Sequence, residues 1–151
     1  FASTLSKIKC VDIRHHEINL NNVEFKIGDI NKLPFQEESV NNLSSLSVIE
    51  HIGLGRYGDR IDSLGMEKSV HEFERVLKKN SNLIVSFPIG RENVVEFNAH
   101  RVCNLEFIKK LFINFSLVDE SFVFDNRYNS REDFINANHP NGVGCFHFIK
   151  K

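Results

Sequence analysis

Glu50 and His51 stand side by side at the end of an apolar run, and glycines follow at positions 53, 55 and 58 (Leu46–Asp59, LSVIEHIGLGRYGD). An imidazole titrates near neutrality, so His51 suits proton transfer, with Glu50 as its catalytic neighbour or as the cap of the following turn. A histidine in such a place can equally be a satisfied polar residue. Arg56, Tyr57 and Asp59 in the glycine-rich loop offer a polar wall for a substrate, or merely a surface turn. A second polar loop, beyond Pro88, carries Asn98, His100 and Arg101 and can join His51 in one patch facing a substrate.

Two more acids lie upstream. Asp12 sits in CVDIR; a carboxylate just past a parallel strand can accept both hydroxyls of a ribose, although a turn or cap residue reads the same way. Gly28 opens GDINKLPF. There Asp29 can meet an adenine amino group while Ile30 packs on the ring, and Gly28 lets backbone approach closely. The alternative for Asp29 is an Asx turn leading into Asn31–Pro34. The histidines at 15, 16, 71, 100, 139 and 147 show neither HxH nor HExxH spacing, so no metal site is expected. Cys10, Cys103 and Cys145 form no CxxC pair and read as reduced, mostly buried thiols of a cytoplasmic protein.

Positioning these groups requires strands that release the chain at a common edge. Ile8–Ile13 and Val23–Ile27 read as strands, Pro34 and QEES as a loop and turn, and Val40–Ile49 as a further strand. The spacing of Met66, Val70, Phe73, Val76 and Leu77 predicts a helix from about Met66 to Lys79. Lys78 and Lys79 would suit the dipole of its last turn, and Asn80 would be its left-handed C-cap. Asn82–Pro88 reads as a buried strand, Glu92–Asn104 as a polar loop or small hairpin, and Leu105–Phe112 as a short helix. Ser116–Phe124 and Gly144–Lys150 are the last strands, joined across the polar span 125–141 without a clear helix. Such alternation predicts an α/β fold, a Rossmann-like mostly parallel sheet with an antiparallel C-terminal strand.

Composition narrows the function. The 151 residues suffice for one domain with a real core, and 14 Phe against 2 Tyr and no Trp predict that Phe fills it. A net charge of −1 leaves no electrostatic footprint for nucleic acid or an anionic membrane. No apolar run approaches the ~20 residues that span a bilayer.

Taken in order, CVDIR, GDINKLPF, SVNNLSSLSVIEHIG and FERVLKKNSNLIVSFP resemble the middle and later motifs of class I S-adenosylmethionine-dependent methyltransferases. IEHIGLGRYGDRIDSLG, with FNAHR further on, is similar to a type-11-like subfamily of that fold of unknown function. The resemblance implies S-adenosylmethionine as cofactor, with Asp12 at the ribose hydroxyls and Ile13 beside it. Gly28, Asp29 and Ile30 would hold the adenine, and Leu46 and Ser47 would lie beside the methionine part. Glu50 and His51 would begin the substrate side, joined by Arg56, Tyr57, Asn98 and His100. The implied reaction is methyl transfer to a small-molecule or glycan-type acceptor, driven by alignment of the nucleophile with the methyl group. The family's first strand and its glycine-rich turn would precede Phe1, so residues 1–151 read as a single domain lacking its opening segment. Without that central strand, its two neighbours would have to close ~10 Å or leave edges exposed. LKKNSN at Leu77–Asn82 replaces a Pro-Gly-Gly turn common among relatives, a mild change. Two other readings are kept: a non-catalytic binding or scaffold module, and an NAD-type oxidoreductase. The two terminal strands, the Glu-His pair and the lack of GxGxxG count against the oxidoreductase.

Overall fold

The computed structural model describes residues 2–17, 19–137 and 141–151. A short helix α1 (Ala2–Leu5) leads into two parallel strands, β1 (Ile8–Asp12) and β2 (Val23–Ile27). Their register runs from Ile8 opposite Val23 to Asp12 opposite Ile27, so Asp12 and the Gly28–Asp29 turn leave the pair at the same edge. The next unit is a five-stranded sheet. Its members are β3 (Val40–Leu46), β4 (Leu77–Gly90), β7 (Phe115–Phe124), β8 (Arg127–Asn129) and β9 (Asn141–Lys150), in the order β3-β4-β9-β7-β8. β3 and β4 run parallel, while β9, β7 and β8 form an antiparallel end. A small hairpin, β5 (Val94–Val95) and β6 (Arg101–Val102), follows β4. The fold is therefore the expected Rossmann-like α/β arrangement.

α2 (Gly65–Val76) and α3 (Leu105–Leu111) pack their buried residues into one core with β4, β7 and β9. Met66, Ser69, Val70, Phe73 and Val76 recur at helical spacing and are the buried stripe of α2. Asn104 caps α3, its side chain accepting from the Phe107 N–H at 2.8 Å. The core between these layers is built of Phe as predicted. Phe87 stacks on Phe112 and Phe146, with ring centroids 6.2 and 5.4 Å apart, and Phe112 stacks on Phe148 at 4.6 Å.

Three local expectations are corrected. The third strand stops at Leu46 rather than Ile49, because Ser47 turns left-handed (φ 54) and Ile49–His51 winds into a 3-10 turn. The helix ends at Val76 rather than Lys79. Leu77 is fully buried, turns extended (ψ 139) and pairs with Val40, so Lys78 and Lys79 belong to β4. Asn80 is left-handed as expected (φ 62), but on an irregular stretch of β4 where the register jumps from Val40–Leu77 to Asn42–Asn82, not at a helix end. Finally, β7 and β9 are joined through β8 and a short helix α4 (Arg131–Asn136). Ser130 and Asp133 form its capping box, and its one buried residue, Phe134, stacks on Phe122 at 5.1 Å. A single apolar anchor in a polar span carries too little periodicity to be read as a helix.

Among the described residues the β1–β2 pair and the five-stranded sheet share no ladder, and residues of both line a cavity of about 2280 Å³. What ties the pair to the rest is α2. The Glu72 carboxylate accepts from the Leu33 N–H at 2.7 Å, and the Arg75 guanidinium donates to the Phe35 carbonyl at 2.9 Å. Ser69 Oγ donates to Asn31 Oδ1 at 2.8 Å. No helix among the described residues is long and apolar enough to cross a membrane.

Phe87 is fully buried and in contact with two other rings. Phe87→Ala is expected to cost about 3–5 kcal/mol of stability, read from urea unfolding midpoints at unchanged m-value.

Candidate functional site

The loop from Ile52 to Asp62 is organised by one carboxylate. Asp59 Oδ2 accepts from the N–H groups of Gly53 (2.7 Å) and Gly55 (3.3 Å), and Oδ1 from that of Tyr57 (3.2 Å). Partial burial opposes its ionisation, but these donors outweigh it and hold the Asp59 carboxyl below its usual range. Gly53 is left-handed (φ 78), and a Cβ there would lie 2.0 Å from the Asp62 carbonyl oxygen, so only glycine closes this loop.

His51 projects from the 3-10 turn at the edge where β3 ends. Its Nδ1 lies 2.9 Å from the Ala99 carbonyl oxygen on the β5–β6 turn. A carbonyl only accepts, so Nδ1 carries the proton and Nε2 presents its lone pair. Burial pushes the His51 pKa below the ordinary imidazole value against the pull of the Ala99 carbonyl, and the nearby Arg56 and His100 add to the fall. The ring is neutral at pH 7. Tyr57 meets it edge-on with centroids 5.5 Å apart, and His100 does so at 6.0 Å. Arg56 donates to the same Ala99 oxygen at 2.9 Å and lies over the Tyr57 ring at 5.2 Å. Asn98 is exposed in the left-handed turn of the hairpin (φ 52).

Glu50 is placed differently. It is 2% exposed, behind the cavity wall, with Oε1 3.9 Å from His51 Nε2 and Oε2 without a partner among the described residues. Burial pushes its pKa up to about 7.

Asp12, Ile13, Gly28, Asp29, Ile30, Leu46 and Ser47, expected on the cofactor side, all line the cavity, together with His51 and Tyr57; Glu50, Arg56, Asn98 and His100 are not among its lining residues. Asp12 is not bare. Its Oδ1 accepts from the Arg14 N–H at 2.9 Å and from Arg14 Nε at 3.2 Å, while His16 Nε2 lies 3.0 Å from Oδ2. The Arg14 guanidinium beside it holds the carboxyl well below the usual carboxylate range. Asp29 Oδ1 accepts from the Asn31 N–H at 2.8 Å, which is the Asx turn kept open as an alternative. At Gly28 a Cβ would come within 2.9 Å of Val11 Cγ1 and 3.0 Å of Pro34 Cδ, so a larger residue would press β1 and the turn apart. Ile30 is half-buried against the core. Leu46 is 58% exposed toward the cavity.

Arg101, expected in the substrate patch, instead turns its guanidinium inward onto backbone carbonyls of the Ile52–Asp62 loop. An unexpected ladder crosses three strands: His147 Nε2 donates to Asn82 Oδ1 at 2.9 Å, and Asn82 Nδ2 donates to Asn42 Oδ1 at 2.9 Å. Residues 65 apart in the chain leave no local signal of such a pairing. Of the thiols only Cys103 is buried, and burial pushes its pKa up to about 12, so it stays protonated; Cys10 and Cys145 are half-buried. Among the described residues no group of three or more His, Cys, Asp or Glu is placed to hold a metal ion. His139 lies outside the described residues.

The fold is shared with solved structures, among them S-adenosylmethionine-dependent methyltransferases. A putative sarcosine dimethylglycine methyltransferase from Galdieria sulphuraria superposes with a TM-score of 0.61 at 15% identity, over 86% of this chain and 60% of that one. An S-adenosylmethionine-dependent methyltransferase from Methanosarcina mazei gives 0.60 at 12%, over 94% and 81%. The [4+2]-cyclase SpnF gives 0.61 at 17%, over 85% and 56%, so this chain spans little more than half of that protein. Within this fold, residues 2–139 match the family described as "Caenorhabditis protein of unknown function, DUF268", and the chain belongs to it. No curated protein sequence matches the chain.

The raised pKa of Glu50 has a definite sign. A carboxyl whose folded value (about 7) exceeds its unfolded one (4.5) contributes stability that is present below 4.5 and lost as pH rises through 7. Glu50→Gln escapes that loss. The variant is expected to match the parent near pH 4.5 and to exceed it by about 1–3 kcal/mol at pH 8, in chemical denaturation at the two pH values.

Proposed function

We propose that this protein binds S-adenosylmethionine in the cavity between β1 and β3 and transfers its methyl group to a hydroxyl or amine of a small-molecule or glycan-type acceptor. The observation that carries the reading is that Asp12, Ile13, Gly28, Asp29, Ile30, Leu46 and Ser47 line one cavity together with His51, whose Nδ1 is held by the Ala99 carbonyl. The donor set fits the nucleoside half of the cofactor. Asp12 offers two carboxylate oxygens to the ribose hydroxyls once Arg14 and His16 yield them, and Asp29 and Ile30 offer a polar edge and an apolar surface to the adenine. Leu46 and Ser47 face the methionine part. Bound there, S-adenosylmethionine supplies a methyl group activated by its sulfonium.

The chain's own task is then to align the acceptor and to dispose of its proton. His51 Nε2, unprotonated and held by the Ala99 carbonyl through the opposite nitrogen, accepts the proton of the hydroxyl or amine. Tyr57, 46% exposed on the cavity wall, gives the acceptor a surface to lie against. The fold alone does not fix the reaction, since it also houses a cyclase. The second reading, a non-catalytic binding or scaffold module, is favoured by one observation: Asp12 is already engaged by Arg14 and His16.

Calorimetric titration of S-adenosylhomocysteine into the full-length protein decides between them. Saturable binding that Asp12→Ala weakens about tenfold or more is expected, as for loss of a charge-assisted hydrogen bond. Absence of binding overturns methyl transfer in favour of the module. With an acceptor in hand, His51→Gln is expected to leave S-adenosylhomocysteine affinity unchanged and to slow transfer about 10²–10⁴-fold.

A further inference from the structure

Arg101 opens β6, directly after the hairpin turn that supplies the Ala99 carbonyl. Its Nη1 donates to the Ile52 carbonyl at 2.6 Å and reaches the Glu50 carbonyl at 3.4 Å; its Nη2 donates to the Asp62 carbonyl at 3.3 Å. One planar group thereby holds both ends of the Ile52–Asp62 loop. The hairpin in turn is fixed to β4. The Cys103 N–H donates to the Pro88 carbonyl at 3.1 Å, and the Gly90 N–H donates to the Cys103 carbonyl at 3.0 Å. The turn is closed by the Glu96 N–H on the His100 carbonyl (2.9 Å) and the Ala99 N–H on the Glu96 carbonyl (3.1 Å).

We propose that Arg101 is the positioning residue of this site: by tying the Ile52–Asp62 loop and the His51 turn to the β5–β6 hairpin, it keeps the Ala99 carbonyl against His51 Nδ1 and so aims Nε2 into the cavity. The inference rests on the reading of His51 as the base. It assigns the hairpin a role as a template that sets which imidazole nitrogen is free. Lysine cannot substitute, because a single ammonium lacks the planar fork that spans two carbonyls on opposite loop ends.

The groups facing His51 from its surroundings are Glu50 on its own turn, Arg56, Tyr57 and Asp59 on the loop, and His100 on the hairpin. Arg101→Gln removes none of these side chains, so a change at His51 reports on how the groups are positioned rather than on a lost neighbour. The test is nitrogen-resolved NMR of the full-length protein, with the His51 signals assigned by their loss in His51→Gln and folding checked by circular dichroism. In the parent protein the Nδ1–H tautomer should predominate, with a titration midpoint below the ordinary imidazole value of about 6.5. In Arg101→Gln, and to a lesser degree in Arg101→Lys, the tautomers should become mixed and the midpoint should rise toward that value. A folded Arg101→Gln protein with the parent's tautomer and midpoint overturns the proposal. If Arg101→Gln does not fold, Arg101→Lys decides on the same reading. S-adenosylhomocysteine titrated into the same samples keeps the two ideas apart: failure to bind the parent protein counts against methyl transfer, and the tautomer result stands on its own.

Discussion

Everything at the site depends on the parallel pairing of β3 with β4, residue for residue from Asn42 opposite Asn82 to Leu46 opposite Ser86. Parallel strands end on the same side, so the chain leaves β3 into the His51 turn where β4 runs on toward the β5–β6 hairpin. The Ser47 N–H still donates to the Ser86 carbonyl at 2.8 Å, and only then does the backbone turn left-handed and wind into the 3-10 turn. Fully buried Leu83, Val85 and Phe87 press this strand against the Phe core. The register is costly to change, since a slip of one residue would turn those side chains to the opposite face.

On this frame the polar groups are satisfied in a hierarchy. Backbone donors converge on Asp59, backbone acceptors on Arg101, and His51 takes the one carbonyl that the hairpin offers across the gap. A neutral imidazole with a defined free nitrogen is the result. Glu50 is the exception, a carboxyl kept where water does not reach and where one oxygen lacks a partner among the described residues. Its protonated form is the one that burial favours, and it lies 3.9 Å from His51 Nε2.

Much of this was legible in the sequence because it is local. β1, β2 and α3 are short runs with clear periodicity and matched expectation to within a residue or so. The order of acidic and Glu-His signatures identified the fold before any geometry. Boundaries failed where tertiary contacts override local preference: Leu77 leaves the helix because it pairs with Val40, and α4 forms because Phe134 has Phe122 to stack on. At the site, residue types pointed to His51 and Asp12, but not to how their polar atoms are engaged. The pairing of Arg101 with carbonyls 39 to 51 residues away, and the burial of Glu50, are products of long-range closure.

The attachment of the β1–β2 pair has a thermodynamic consequence. Its polar ties to the remainder run chiefly through α2, where Ser69, Glu72 and Arg75 grip the segment from Asn31 to Phe35. One wall of the cavity therefore hangs on a handful of hydrogen bonds, while the other is continuous with the core. Any ligand that touches both walls is linked to that grip: its binding energy adds to the grip's, and each increment of loosening there is subtracted from its apparent affinity. Substitutions at Ser69, Glu72 and Arg75, α2 residues that do not line the cavity, thus act as a dial on its occupancy.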